Sequence, residues 1–245
     1  MIPKILHYCW FGGQPLPEDI KRYLQSWKKQ CPDYKIMRWD ETNFDVTSNK
    51  FCQQAYENRK WAFVSDYFRL KILYDYGGIY MDTDVEVLQK LDDFLHCKWF
   101  SGFEKSESGY NIPTGTMGSE KGSPLIKELL EYYEDNDFIG TDGCFNTTSN
   151  VVIITDYIKQ KYNVIMDGQY KLFGDGFALY PFDYFCAKSF VTGKLYLTSN
   201  TYTVHHFKGS WLTPRQKRKI LIKKILIKVL GENNFKKLLN IRKNL

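Results

Sequence analysis

SDYFRLKILYDYGGIYMDTDVEV, residues 65–87, decides how the rest of the chain is read. With Trp61–Val64 ahead of it, its first half carries Ala62, Val64, Phe68, Leu70, Ile72 and Leu73 as a wide apolar surface, so a helix is expected over 61–76. Gly77-Gly78 stands where a left-handed residue caps a helix. Ile79–Leu88 then reads as one strand, with Met81, Thr83, Val85 and Val87 alternating with Tyr80, Asp82, Asp84 and Glu86.

That alternation puts the carboxylates of Asp82 and Asp84 on one side, within reach of a single hard cation, Mn²⁺ or Mg²⁺. Two other metal motifs do not fit. A D-x-D-x-T/V phosphatase motif would need Thr or Val where Glu86 stands. A calcium-binding loop would need Gly and Glu at the positions of Val87 and Asp93. On the preceding helix Asp66 and Arg69 are neighbours at i and i+3. On a solvated face such a pair contributes only about 0.3–0.5 kcal/mol. In an otherwise apolar segment it needs further partners, and sugar hydroxyls both accept from Arg and donate to Asp.

The flanks extend an α/β pattern. Ile5–Phe11 reads as a strand, Glu18–Lys29 as a helix, and Tyr34–Trp39 as a second strand, the start of a sheet with a crossover. Glu104–Gly122 reads as a polar, glycine-rich loop. Pro124–Asn136 reads as a helix, and Val151–Tyr162 as another helix or a buried segment. Ala178–Tyr184 and Lys194–Phe207 are expected to hold later strands, with a hairpin turn at Gly193.

The chain has 245 residues, 43% of them hydrophobic and 17% aromatic, enough for one packed domain. Its net charge of +6 is concentrated at one end. Residues 215–245 hold eleven Lys or Arg against one acid, Glu232, a local charge of +10, which leaves 1–214 at −4. The expected division is therefore a body, 1–214, and a basic amphipathic helical tail, 215–245, broken at Gly231 and resuming from Asn234. That tail could pack on the body or lie on an anionic membrane surface. It lacks the interleaved aromatics of a single-strand binder, so no nucleic acid is expected. Six irregularly spaced cysteines suggest free thiols. With no stretch resembling a signal peptide and no run of 18 apolar residues, a cytoplasmic location is expected, peripheral on the membrane face through the tail.

The block S-D-x-x-R…G-G-x-Y-x-D-x-D over residues 65–84 resembles glycosyltransferase family 32. That family includes capsular-polysaccharide and mannosyl transferases, and the clostridial glucosylating toxins share the block. The opening Ile2-Pro-Lys-Ile-Leu-His-Tyr-Cys-Trp-Phe-Gly-Gly and the late His205-His206-Phe-Lys-Gly-Ser-Trp211 are similar to that family's start and end, in the same order. The resemblance implies a GT-A fold, a mixed sheet flanked by helices that binds a sugar nucleotide.

It also implies roles. Trp10 would stack on the base, and Tyr80 would flank the sugar. Ser65, Asp66 and Arg69 would hold the donor sugar, Asp82 and Thr83 would contact ribose or sugar, and Asp84 would ligate the metal, with Asp82 beside it. Either His205 or His206 would complete the metal shell, because adjacent strand residues face opposite ways. Ser210 and Trp211 would contact the diphosphate. The implied activity is a retaining transferase, Asp66, Arg69, Asp82 and Asp84 being its catalytic residues. It would use a uridine diphosphate sugar, with a guanosine one second, and a saccharide acceptor, lipid-linked, in surface polysaccharide synthesis. A protein acceptor and a non-catalytic, membrane-associated sugar-nucleotide-binding module are the alternative readings. Members of the family often carry a T-G-P-like turn where this chain has Thr147-Thr-Ser-Asn, so specificity does not carry over.

Overall fold

The computed structural model describes residues 1–106, 109–209 and 214–231. The chain begins with strand β1 (Ile5–Cys9), helix α1 (Glu18–Gln30) and strand β2 (Lys35–Trp39). Helices α2 (Lys50–Glu57) and α3 (Trp61–Tyr76) lead to strands β3 (Gly78–Met81) and β4 (Val85–Val87). Next come β5 (Trp99–Gly102), the short β6 (Glu104–Lys105) and β7 (Tyr110–Asn111), and β8 (Thr116–Ser119). Helices α4 (Pro124–Asp135) and α5 (Asn150–Tyr162) precede β9 (Lys171–Leu172) and β10 (Phe177–Tyr180). Helix α6 (Phe182–Phe185), β11 (Thr203–His205) and α7 (Pro214–Leu230) complete the described chain.

Seven strands form one mixed sheet in the order β2-β1-β3-β8-β5-β10-β9. β1 pairs in parallel with both β2 and β3, the chain crossing over through α1 between β1 and β2 and through α2 and α3 between β2 and β3. β8 is antiparallel to β3 and β5. One face is covered by α2–α5, through Val64, Phe68, Leu129 and Ile154 among others. The other face packs on α1 through Trp27, whose indole donates to Val85 O at 2.7 Å. The mixed sheet flanked by helices that the resemblance implies is the one observed.

The helix expected at 61–76 is α3, buried along most of its length. Gly77 caps it at φ +65°. His7 fixes this junction from β1. Its Nδ1 accepts from the Trp39 indole at 3.0 Å, so its Nε2–H donates to Gly77 O at 2.8 Å. Burial lowers its pKa to about 4, and it is a neutral structural residue.

Three sequence expectations fail locally. Ile79–Leu88 is not one strand. β3 ends at Met81, a tight turn closed by Val85 N–H to Asp82 O (3.0 Å) carries Thr83-Asp84, and β4 pairs with β11 in a separate two-stranded sheet. Glu104–Gly122, read as loop, contains the fully buried inner strand β8. Its Thr-Met-Gly-Ser sequence gives no strand pattern because the position facing the Phe100 ring must lack a side chain. A Cβ on Gly118 would lie 2.2 Å from that ring. Gly118→Ala is expected to cost about 1–3 kcal/mol through overpacking, read as a lower thermal midpoint. An unchanged midpoint would show that Phe100 can move aside. Finally, the later strands are shorter than expected. Ala178–Tyr184 divides into β10 and α6, and Lys194–Phe207 contributes only β11 and a bridge from Leu195 to Lys188. The turn at Gly193 is present, with Gly193 N–H bonded to Ser189 O.

Candidate active site

A cleft of about 750 Å³ opens over the ends of β3 and β8. Its floor is the turn after β3. The Asp82 N–H donates to Gly115 O at 2.9 Å, fixing the turn against the loop before β8. Asp82 Oδ1 accepts from the Tyr80 hydroxyl at 3.1 Å and lies 3.3 Å from Arg69 Nη1. Its Oδ2 faces His205 Nε2 at 3.9 Å. Asp84 Oδ1 lies 3.2 Å from the same Nε2, and its Oδ2 accepts the Lys208 N–H at 2.7 Å. The Asp84 carbonyl accepts the His206 N–H at 2.9 Å, so segment 205–208 wraps the second aspartate.

The two carboxylates converge, although not by strand alternation. The turn and the β4–β11 pairing, which sets His205 opposite Val85, bring them together. His206 faces the other way. Its Nε2 is 2.8 Å from Glu86 Oε2, and its ring stacks on Tyr23 at 4.5 Å. Of the two candidate histidines, the structure therefore sets His205 beside both aspartates and leaves His206 outside the cleft.

Arg69 is 5% exposed, so the surface-pair reading does not hold. Its Nη2 is 3.0 Å from Asp66 Oδ1, its Nη1 donates to Thr114 O and Oγ1 at 2.9 Å each, and its Nε donates to Ser65 O at 3.2 Å. The guanidinium also lies 4.7 Å from the Tyr80 ring centre. Arg69 thus ties Asp66 to Asp82 from below. Tyr80, with a fully buried ring, lies beneath them as part of the support. Burial raises the Asp66 carboxyl to about pKa 6, against the opposing pull of Arg69. Asp66 Oδ2 faces the Asn150 N–H at the start of α5, 3.4 Å away.

Burial works against charge at both Asp84 and His205, and their mutual attraction outweighs it. The carboxyl falls to about pKa 2 and the imidazole rises to about 9.

Trp10 and Thr83 line the cleft, and the Trp10 indole donates to Gln14 O at 2.6 Å. Ser65 does not reach it. Its hydroxyl turns back to the carbonyls of Trp61 and Ala62, at 3.1 and 2.8 Å. Ser210 and Trp211 lie outside the described residues. Sequence reasoning missed Glu104 and Lys208, which also line the cleft, as does Asn150 at the end of the Thr147-Thr-Ser-Asn segment. Glu104 Oε2 is 3.8 Å from Cys186 Sγ, and burial raises its carboxyl pKa. No local pattern marks Glu104. Lys208 sits inside the late histidine block, but there its backbone N–H acts, which a side-chain reading cannot find.

Asp82, Asp84 and His205 present ligand atoms that all lie within 4.8 Å of one another. His205 Nδ1 is buried without a hydrogen-bond partner among the described residues, and the ring is oriented through Nε2 by Asp84. Two carboxylates and an imidazole form a donor set suited to a divalent ion such as Mn²⁺ or Mg²⁺, and the residues fit such an ion.

The family model for "Glycosyltransferase sugar-binding region containing DXD motif" matches residues 17–100, the stretch holding Asp66, Arg69, Asp82 and Asp84. Over that stretch the chain is similar to the DXD-containing glycosyltransferases. It is 28% identical over 172 residues to an uncharacterized glycosyltransferase of Acanthamoeba polyphaga mimivirus, covering 65% of this chain and 67% of that one. It is 30% identical over 133 residues to inositol phosphoceramide mannosyltransferase 3 of Schizosaccharomyces pombe, covering 53% of this chain. That match spans only 36% of the yeast protein. Among solved structures, the PaToxG glycosyltransferase superposes with a TM-score of 0.51 at 19% identity, over 66% of this chain and 70% of that one. The chain therefore shares its fold with a solved transferase, and its floor residues Asp82 and Asp84 lie in the stretch that matches the sugar-binding-region model.

Proposed function

We propose that this chain transfers a hexose from a nucleoside diphosphate sugar, with retention, to a saccharide acceptor carried on a lipid, in the synthesis of a cell-surface glycan. The observation that carries the reading is the convergence of Asp82, Asp84 and His205 on the cleft floor, beside the buried Asp66–Arg69 pair. Asp84, Asp82 and His205 would hold a divalent ion, Mn²⁺ by preference, which supplies positive charge for a departing diphosphate. Asp66 would accept from donor-sugar hydroxyls, with Arg69 fixing its carboxylate rather than reaching the sugar on its own. Trp10, at the rim, would stack on the base.

Retention is assigned to a front-face displacement. The acceptor oxygen bonds to the anomeric carbon as the bond from that carbon to the phosphate oxygen breaks, and the acceptor's proton passes to the leaving phosphate. The other cleft carboxylates support this choice. Asp66 is engaged by Arg69, and Glu104 takes a contact from the Cys186 thiol. Uridine is the first choice of base and guanosine the second. The mannosyltransferase named among the yeast relatives favours mannose as one donor sugar to test, and its ceramide acceptor favours a lipid carrier. Incubating the protein with α-linked nucleotide sugars and a lipid-extracted acceptor pool should yield an α-linked product by NMR. A β-linked product would contradict retention.

The His205 assignment predicts a pH dependence. Without an ion, the imidazole keeps its proton up to a pKa of about 9, and that proton must leave before Nε2 can bind metal. Apparent Mn²⁺ affinity should therefore fall about tenfold per pH unit below 9 and level off above it. Calorimetry in buffers of different ionisation enthalpy should show about one proton released per ion near neutral pH. No proton release would remove His205 from the ligand set.

A further inference from the structure

The C-terminal helix α7 docks on the body with one face and leaves a second apolar face in solvent. Ile220, Lys223, Lys224 and Ile227, spaced i, i+3, i+4 and i+7, are the half-buried or buried positions. The opposite side carries Leu221, Ile225 and Val229 along one row and Ile222, Leu226 and Leu230 along the next. All six are exposed, from 38% at Leu230 to 74% at Val229. They make up six of the fifteen exposed large apolar side chains among the described residues, gathered on a single helix. The amphipathicity expected from sequence is thus only half right. Apolar residues lie on both sides, and the more apolar side faces away from the core.

Three features say what that face meets. α7 contains no acidic residue, and Arg215, Lys217, Arg218 and Lys219 crowd its first turns. Residues 215–245 together carry +10, against −4 for the rest, which favours an anionic surface over a second copy bearing the same charge. The helix also borders the active cleft. Lys217 lines it, and Lys224 sits 5.9 Å from the Phe190 ring, which packs on Phe207 at 5.3 Å, which in turn stacks on His205 at 4.1 Å.

The geometry points to α7 as a membrane-docking element. Its outward Leu and Ile side chains enter the headgroup–acyl boundary of an anionic bilayer while the basic first turns engage the headgroups. The cleft mouth then lies beside the lipid plane, where an acceptor carried on a lipid is presented. This docking does not depend on the transferase reading, and it adds to that reading a surface that brings enzyme and acceptor together.

The test uses the full chain and sedimentation with two vesicles, one of phosphatidylcholine alone and one containing phosphatidylglycerol. The wild type should bind the anionic vesicles at least about tenfold more tightly than the neutral ones, and more weakly at high salt. Leu221→Gln/Ile225→Gln/Val229→Gln should lower anionic-vesicle binding about tenfold while leaving metal-dependent hydrolysis of a soluble nucleotide sugar unchanged. Circular dichroism guards against a misfolded variant, and Arg215→Gln/Arg218→Gln/Lys219→Gln offers a second arm, which should weaken binding without touching the apolar face. Equal binding to both vesicles, or undiminished binding by the triple apolar variant, overturns the proposal. So does a wild type that is dimeric by light scattering, becomes monomeric in that variant, and binds no vesicle; a second copy would then cover the face. If vesicles bind as expected but no nucleotide sugar is hydrolysed, the docking stands and the transferase reading fails.

Discussion

Asp84→Ala is expected to lower kcat/KM for nucleotide-sugar hydrolysis about 10³-fold, the largest loss of any single substitution in the cleft. Asp84 acts through both of its oxygens. Oδ1 faces His205 at 3.2 Å and Oδ2 holds the Lys208 N–H at 2.7 Å. Truncation therefore removes a proposed metal ligand and also releases segment 205–208, which the late histidine block contributes to the cleft. Asp84→Asn separates the two effects. It keeps an acceptor for the Lys208 N–H but loses the charge that raises the His205 imidazole and attracts a cation. If charge dominates, Asn should be nearly as damaging as Ala, and the His205 pKa, read by NMR, should fall from about 9 toward its ordinary value. A loss of less than about tenfold in both variants, with the fold intact by circular dichroism, would take Asp84 out of the reaction.

Arg69→Met should produce the largest loss of stability. The guanidinium stands between Asp66 and Asp82, 3.0 and 3.3 Å from their oxygens, and is almost wholly buried. A methionine of similar length fills much of the space but leaves two partly buried carboxylates without their cation. Breaking a buried pair in this way costs about 3–5 kcal/mol. In a chain of this size that is a fall in thermal midpoint of roughly 10 °C. Arg69→Lys should lie between, because a point charge cannot reach Asp66, Asp82 and Thr114 together. The Asp66 carboxyl, already raised to about pKa 6 by burial, should rise further without Arg69, so the Met variant should lose more stability at high pH than at low pH. A midpoint within about 2 °C of wild type would show that water solvates both carboxylates once the arginine is gone.

The elements whose hydrophobic period is long and whose ends carry their own signals were readable from sequence. α3 runs from Trp61 to Tyr76, as its apolar surface and glycine stop imply, and the β1–α1–β2 opening follows from short apolar runs separated by Pro15, Pro17 and Pro32. The failures share a cause. Over 79–88 the period of two is genuine, but it belongs to two strands in two sheets, and only hydrogen bonds to Gly115 and β11 reveal the turn between them. β8 is invisible because burial between β3 and β5 selected Thr, Met, Gly and Ser for fit rather than for pattern. α2 gives a signal only in retrospect, through Asn49, whose side chain accepts the Cys52 N–H.

The same division holds in the site. Asp66, Arg69, Asp82 and Asp84 lie within 19 residues of sequence and could be read as a group. Glu104 and Asn150 reach the cleft only because the chain returns to it after β5 and before α5. The resemblance implies a donor contact for Ser65, yet its place on α3 turns its hydroxyl onto the helix backbone. The choice between His205 and His206 needed the β4–β11 register, which no single sequence supplies.

The central claim is that this cleft binds a divalent ion and a nucleotide sugar together. Its most direct test is hydrolysis of a panel of uridine and guanosine diphosphate sugars by the full chain, with Mn²⁺ and with a chelator. At least one donor should be hydrolysed with Mn²⁺ and none with the chelator. Failure to bind or hydrolyse any nucleotide sugar in the presence of Mn²⁺ would contradict the account.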